Sequence, residues 1–219
     1  MTNGTFILTE THSVASSFLA ELRDTTIQSD KPRFRNNLKR LGQVLAYEVS
    51  RHLAYELGRI RTPLAETEVA LLKENPVLIT IMRAGLPFYE GFLDYFDGSE
   101  SGFIGAFREE ESADGKVSVS LEYAALPDTG GRPVILADPM LATGKSLLYA
   151  VEAINKRGVP SHLYIAAAIA APEGVSYLKE NLRQPFSLWM GAMDEKLNTN
   201  AFIVPGLGDA GDLAFGPKN

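Results

Sequence analysis

Three continuous apolar runs of strand length, each followed by a segment of helical character, shape the chain from residue 77 onward. Val77 to Met82 precedes a helix-like Pro87 to Phe96. Val134 to Ala137 precedes Leu147 to Arg157, which Gly158 stops, and Leu163 to Ala171 precedes Pro172 to Leu182. A fourth run, Phe186 to Met190, closes the series. Runs with no polar alternation belong to strands covered on both faces, because an exposed face carries polar side chains at every second position. The alternation therefore predicts an α/β fold, a mostly parallel sheet flanked by helices, with ligands at the carboxyl ends of its strands.

Upstream, Val14, Phe18, Leu19 and Leu22, then Phe34, Leu38, Leu41, Leu45, Val49, Leu53 and Leu57, recur at helical spacing. That pattern predicts two amphipathic helices across about residues 13–58. Gly102 to Phe107 reads as a short strand, and Val117 to Tyr123 alternates apolar with polar residues before the turn residues Pro127 to Gly131. An antiparallel hairpin excursion is expected there, over about residues 108–131. The tail, about residues 200–219, carries Gly206, Gly208, Gly211 and Gly216. It is too irregular for a helix and too apolar for a disordered end, so it is expected to fold back onto a site. With 219 residues and 45% hydrophobic content, one domain is expected.

Charge limits the partners. The chain has 21 basic and 27 acidic residues, a net charge of −6, and so no global basic field to gather nucleic acid or anionic lipid. An anionic substrate must be held by local positive groups. The absence of cysteine excludes a disulfide framework, a thiolate nucleophile and a cysteine-based metal site. Met1 to Ala20 has no basic segment followed by an apolar core, and Leu163 to Ala171 is too short to span a bilayer, so a soluble, cytoplasmic chain is expected. His12, His52 and His162 are not spaced to put two imidazoles on one helix face, and no zinc site is expected.

The densest chemical signal is the run Asp138, Pro139, Met140, Leu141, Ala142, Thr143, Gly144, Lys145, Ser146, directly between a buried strand and a helix. A loop in that place aims backbone N–H groups, two hydroxyls and the positive end of a helix dipole at one spot, which suits a phosphate monoester. Asp138 stands where it can accept hydrogen bonds from a sugar's vicinal hydroxyls. Thr-Gly-Lys-Ser alone is equally an ordinary helix start; the acid at the strand end favours the functional reading. The last residues are also similar to a nucleotide-binding P-loop, but that pattern needs glycine five positions before Gly144, where Pro139 stands. A nucleotide-kinase reading is weak on that ground.

Asp138 to Ser146 resembles the phosphoribosyl-binding loop of uracil phosphoribosyltransferases, in which an acid followed by Pro-Met-Leu-Ala-Thr-Gly is characteristic. Other members of the type I phosphoribosyltransferase fold usually carry two adjacent acids. Arg83-Ala84-Gly85-Leu86 resembles the family's pyrophosphate loop, and Pro205 to Asp212 its uracil-binding tail, a base-binding hood. The similarity runs in order from about Phe34 to the C-terminus.

The resemblance implies that residues 138–146 hold the ribose hydroxyls and 5-phosphate of 5-phosphoribosyl 1-diphosphate, with Arg83, Arg108 and Asp209 also on that substrate. Arg83 and Asp209 are the implied catalytic residues. Arg108, before Glu109 to Glu111, is similar to the family's Arg-x-Glu segment ahead of a flexible hairpin that covers the site. From the residues alone, Arg83 is an anion contact and Arg108 an ordinary surface charge beside acids. Uracil is implied to lie against Phe202, Val204, Asp209, Ala210 and Gly211. Phe202 stands where many relatives have tyrosine, Lys145 replaces a common glycine and is expected to point to solvent, and Leu213 replaces a common basic residue.

The implied reaction joins uracil to 5-phosphoribosyl 1-diphosphate, giving UMP and diphosphate, with Mg²⁺ arriving on the diphosphate rather than in a dedicated cage. A homodimer or higher homo-oligomer is implied too. So is a GTP effector near the basic cluster Arg33, Arg35, Lys39 and Arg40, which the residues alone present as a solvated helix face. The rival class is an RNA-binding regulator on the same fold. It wants a basic face, which the acidic net charge opposes.

Overall fold

A computed structural model describes residues 4–105, 107–111, 117–121 and 123–217, with backbone alone for 107–111 and 117–121. In chain order the elements are β1 (Thr5–Ile7), α1 (Ala15–Arg23), α2 (Lys31–Ser50), β2 (Tyr55–Arg61), β3 (Glu66–Leu72), β4 (Val77–Ile81), α3 (Gly85–Leu93) and β5 (Ser101–Ile104). Then come β6 (Phe107–Glu111), β7 (Val117–Leu121), β8 (Ala124–Ala125), β9 (Pro133–Ala137), β10 (Met140–Leu141) and α4 (Lys145–Asn155). The chain ends with β11 (His162–Ala170), α5 (Pro172–Asn181), β12 (Phe186–Met193), β13 (Lys196–Leu197), β14 (Ile203–Val204) and α6 (Ala210–Phe215).

The main sheet runs β1-β12-β11-β9-β4-β5-β8, with β10 alongside β11. All of its pairs are parallel except β5 with β8. Alternation along each strand splits the side chains between two cores. Leu78, Ile135, Tyr164, Ala166 and Trp189 pack with residues of α1, α2 and α3, such as Leu22, Leu38, Leu45 and Phe88. Val77, Ile79, Val134, Leu136, Leu163, Ile165 and Leu188 pack with Leu147, Val151 and Ile154 of α4 and Leu178 of α5. Both faces are covered, which is why these strands read as unbroken apolar runs. Each fully buried Leu, Ile or Phe contributes roughly 1.5–3 kcal/mol.

The α/β reading and the order of its strand–helix pairs agree with the structure, and the expected hairpin is present as β6 antiparallel to β7, Phe107 opposite Leu121. One expectation fails and one element went unread. The second N-terminal helix does not reach residue 58: α2 begins at an Asp30 cap that accepts from the Arg33 N–H at 3.1 Å and ends at Ser50. Leu53 lies beyond it, and Leu57 belongs to a β2–β3 hairpin turned by Thr62, whose N–H and hydroxyl both reach the Ala65 carbonyl at 2.9 Å. Leu57 kept helical spacing by coincidence; it is 74% exposed, so nothing in a core depends on it. The edge strand β1, three residues long, was also missed. It lies parallel to β12. Beside it, Trp189 packs against the rings of Phe6 and His52 at 5.0 and 4.9 Å and donates its indole N–H to Ser187 Oγ at 2.9 Å.

The α2–α3 contact is made backbone to backbone. A Cβ on Gly42 would strike the Phe88 carbonyl oxygen, and one on Gly91 the Lys39 carbonyl oxygen. Neither obstacle is a side chain that can swing away. Gly42→Ala should therefore destabilise the fold by about 1–3 kcal/mol, as overpacking does. Urea unfolding checks this: the midpoint should fall with an unchanged slope.

Candidate functional site

The site begins with β4 and β9, which are neighbours in register, Thr80 opposite Ala137, and so end at the same level. Buried Thr80 ties them together, its hydroxyl donating to the Ala137 carbonyl at 2.8 Å. The chain leaves β4 through Met82, Arg83 and Ala84. Gly85 follows because a Cβ there would strike the Thr80 hydroxyl oxygen. It leaves β9 at Asp138.

The loop from Asp138 is braced along its length. The Pro139 carbonyl accepts from the Ala168 and Ile169 N–H groups at 3.1 and 3.0 Å, and the Leu141 carbonyl from the Ala171 N–H at 2.9 Å. Gly144, at φ +79°, turns the chain into α4. With Thr143, Ser146 and Leu147 it presents the start of that helix to the cleft, where the helix dipole is positive. Asp138 accepts from the Met140 N–H at 3.2 Å. Burial nevertheless dominates and pushes its carboxyl up to about 7.

The tail folds back as expected, but it does contain a helix. Asp209 caps α6, its Oδ1 accepting from the Asp212 N–H at 3.0 Å. Six residues give no periodicity to read, and the capping acid was the available signal. Arg83 reaches this helix, donating to Asp212 Oδ1 at 3.1 Å and to the Gly216 carbonyl at 3.2 Å, while its buried Nε has no hydrogen-bond partner. Arg35 of α2 donates to the Ala214 carbonyl at 2.6 Å.

These three segments enclose a cleft of about 320 Å³. Arg83, Asp138, Met140, Ala142, Thr143, Gly144, Ser146, Phe202, Asp209, Ala210 and Gly211, all singled out in the sequence, line it. Pro139, Leu141, Lys145 and Val204 do not. Pro139 and Leu141 are buried beside β11, Lys145 is exposed, and Val204 pairs with Lys196. The Arg108 side chain lies outside the described residues.

The family profile described as uracil phosphoribosyltransferase matches residues 9–217. The chain belongs to the uracil phosphoribosyltransferase family. A uracil phosphoribosyltransferase of Porphyromonas gingivalis is 42% identical over 207 residues, 94% of this chain and 95% of that one. One of Pyrococcus furiosus is 38% identical over 201 residues, 90% of this chain and 84% of that one. Among solved structures, the AQ2163 protein of Aquifex aeolicus superposes with a TM-score of 0.83 at 31% identity, over 97% of this chain and 98% of that one.

The uracil phosphoribosyltransferase resemblance thus holds across nearly the whole chain. The basic cluster on α2 is more engaged than a solvated face: Arg33 pairs with Glu21, Lys39 with Asp94, and Arg40 lies over the Phe18 ring at 5.2 Å. Sequence reasoning passed over Asp212 as the partner of Arg83, and over Ala201, Ile203 and Gly208 on the cleft wall. Their position inside the tail, about residues 200–219, was the usable hint.

The raised Asp138 carboxyl has a stability consequence. Its neutral form suits the fold, so its contribution is full below the usual carboxyl value of 3.8 and is lost as pH rises to about 7. Asp138→Asn cannot titrate. Its stability relative to the parent should rise between about pH 4 and about pH 7 and then level off, as urea unfolding of both proteins across that range will show.

Proposed function

We propose that the chain, working as one domain, transfers the phosphoribosyl group of 5-phosphoribosyl 1-diphosphate to uracil, giving UMP and diphosphate. The supporting observation is that one cleft is lined by the strand-end acid, the start of α4, Arg83 and the glycine-bearing tail. Relatives 38–42% identical over nine-tenths of the chain carry that activity in their names.

In this reading Thr143, Gly144 and Ser146 receive the 5-phosphate at the positive end of α4, and Asp138 accepts from the ribose hydroxyls. Arg83 meets the diphosphate, where negative charge grows as the C1–O bond breaks and the bond from C1 to uracil N1 forms, the N1 proton passing to water or to the departing diphosphate. Arg83 lines the cleft, and its buried Nε has no hydrogen-bond partner. Asp209, fixed as the α6 cap, orders the base with Ala210 and Gly211. Arg108 is retained on the resemblance alone. Among the described residues no group of three or more metal-ligating side chains gathers, while Asp138 and Asp209 both line the cleft. That donor set fits Mg²⁺ carried in on the diphosphate, whose charge it would neutralise.

Uracil offers two carbonyl acceptors flanking an N–H donor. A wall built largely from backbone cannot exchange donor for acceptor, so cytosine leaves polar groups unpaired. The exposed apolar residues of the β2–β3 hairpin, Tyr55, Leu57, Ile60 and Leu71, support a homo-oligomer. Arg35 and Lys39, lining a second cleft with Pro87 and Glu90, are the groups offered to an effector such as GTP.

Steady-state kinetics with Mg²⁺ test the reading. UMP should form from uracil, with cytosine and orotate slower by about 10⁴-fold or more. Either one reacting within about tenfold of uracil would sink the assignment. Arg83→Ala should lower turnover strongly and leave the uracil KM little changed. A defect confined to the uracil KM would instead move Arg83 to the base.

A further inference from the structure

The glycine-bearing tail is held at its bend by two residues that do not line the cleft. Arg23, the last residue of α1, spreads its guanidinium across Asp194, which follows β12, with Nη1 to Oδ2 at 2.8 Å and Nη2 to Oδ1 at 2.6 Å. The same Nη1 donates to the Gly206 carbonyl at 3.0 Å, and Asp194 Oδ2 accepts from the Gly206 N–H at 2.8 Å. One residue of the tail is thus gripped by both its backbone polar groups. The Asp194 side chain is 4% exposed and that of Arg23 24%, so the pair is largely shielded from water. Gly206 is itself a sharp bend, at φ +63°, where a Cβ would strike the Ile203 carbonyl oxygen.

The position of this grip gives it a consequence. Before the bend, Ala201 to Ile203 line the cleft; after it, Gly208 to Gly211 line it again. Gly206 is the bend that joins these two walls. The phosphate side is secured separately, by the bonds from the Pro139 and Leu141 carbonyls to the strand beside them. The far end of the tail has its own brace in Arg35 on the Ala214 carbonyl.

Resting on the uracil reading above, we propose that Arg23 and Asp194 are positioning residues for the pyrimidine. They fix the two tail walls at the spacing that accepts the base, and none of their bonds reaches the α4 loop or Arg83. Removing either outright strands its partner in a shielded place, so the conservative variants are the informative ones. Arg23→Lys keeps the charge, but one ammonium group cannot span both carboxylate oxygens and the Gly206 carbonyl. Asp194→Asn keeps the shape and loses the charge.

The experiment combines kinetics, calorimetry and amide exchange on the full chain. In both variants kcat/KM for uracil should fall by about 10-fold or more, the scale of losing a charge-assisted hydrogen bond. The Kd for 5-phosphoribosyl 1-diphosphate should change clearly less than the uracil kcat/KM, because the loop before α4 is braced by β11 and not by the tail. Amide exchange at Leu207 to Ala210 should quicken. Unchanged uracil kinetics in a folded variant overturns the proposal, and so does an equal loss on both substrates, which marks a merely structural pair. If Arg23→Lys does not fold, Asp194→Asn decides by the same readings. If the parent chain makes no UMP, the uracil assignment is what fails. Amide exchange then decides the grip alone, and unaltered rates at Leu207 to Ala210 overturn it.

Discussion

The pairing of β4 with β9 at the middle of the sheet is the contact on which the rest of the site depends. Parallel neighbours in register end together, and Thr80 locks that level by donating to the last residue of β9. Arg83 and Asp138 are far apart in sequence and become neighbours only through this register. The layers of helix on either face serve it by burying both sides of the strands. A slip of one residue would turn Leu78 and Ile135 from one core to the other and carry both loops out of line.

Onto that frame the tail is attached chiefly through arginines from the scaffold. Arg23 holds Gly206, Arg83 holds Asp212 and the Gly216 carbonyl, and Arg35 holds the Ala214 carbonyl. Their environments differ. The Arg83–Asp212 pair is more than a third exposed on each side and is worth little by itself, whereas the Arg23–Asp194 pair is shielded and intolerant of losing one partner. Arginine suits each place because one planar head can satisfy a carboxylate and a carbonyl together.

Most of the central fold was legible because strands buried on both faces leave an unmistakable apolar run, and Gly158 and Pro172 mark the helix boundaries. The chain was hardest to read where elements were short or half-exposed. Leu53 and Leu57 mimicked helix spacing, β1 is three residues long, and α6 shows only its cap. In the site, loop residues that carry chemistry by type, such as Asp138, Thr143 and Ser146, could be read directly. The inward or outward sense of Pro139, Leu141 and Val204 could not, because it depends on bonds to a strand met only after folding.

The chain contains a single tryptophan, and its position gives the molecule an optical property of its own. Trp189 sits in β12 against Phe6 and His52, with its indole nitrogen satisfied by Ser187, and it takes no part in the cleft. Its emission therefore reports the docking of the N-terminal edge strand and the integrity of one core. Occupancy of the cleft should leave that emission unchanged, so fluorescence can follow unfolding in the presence of substrates without interference from binding.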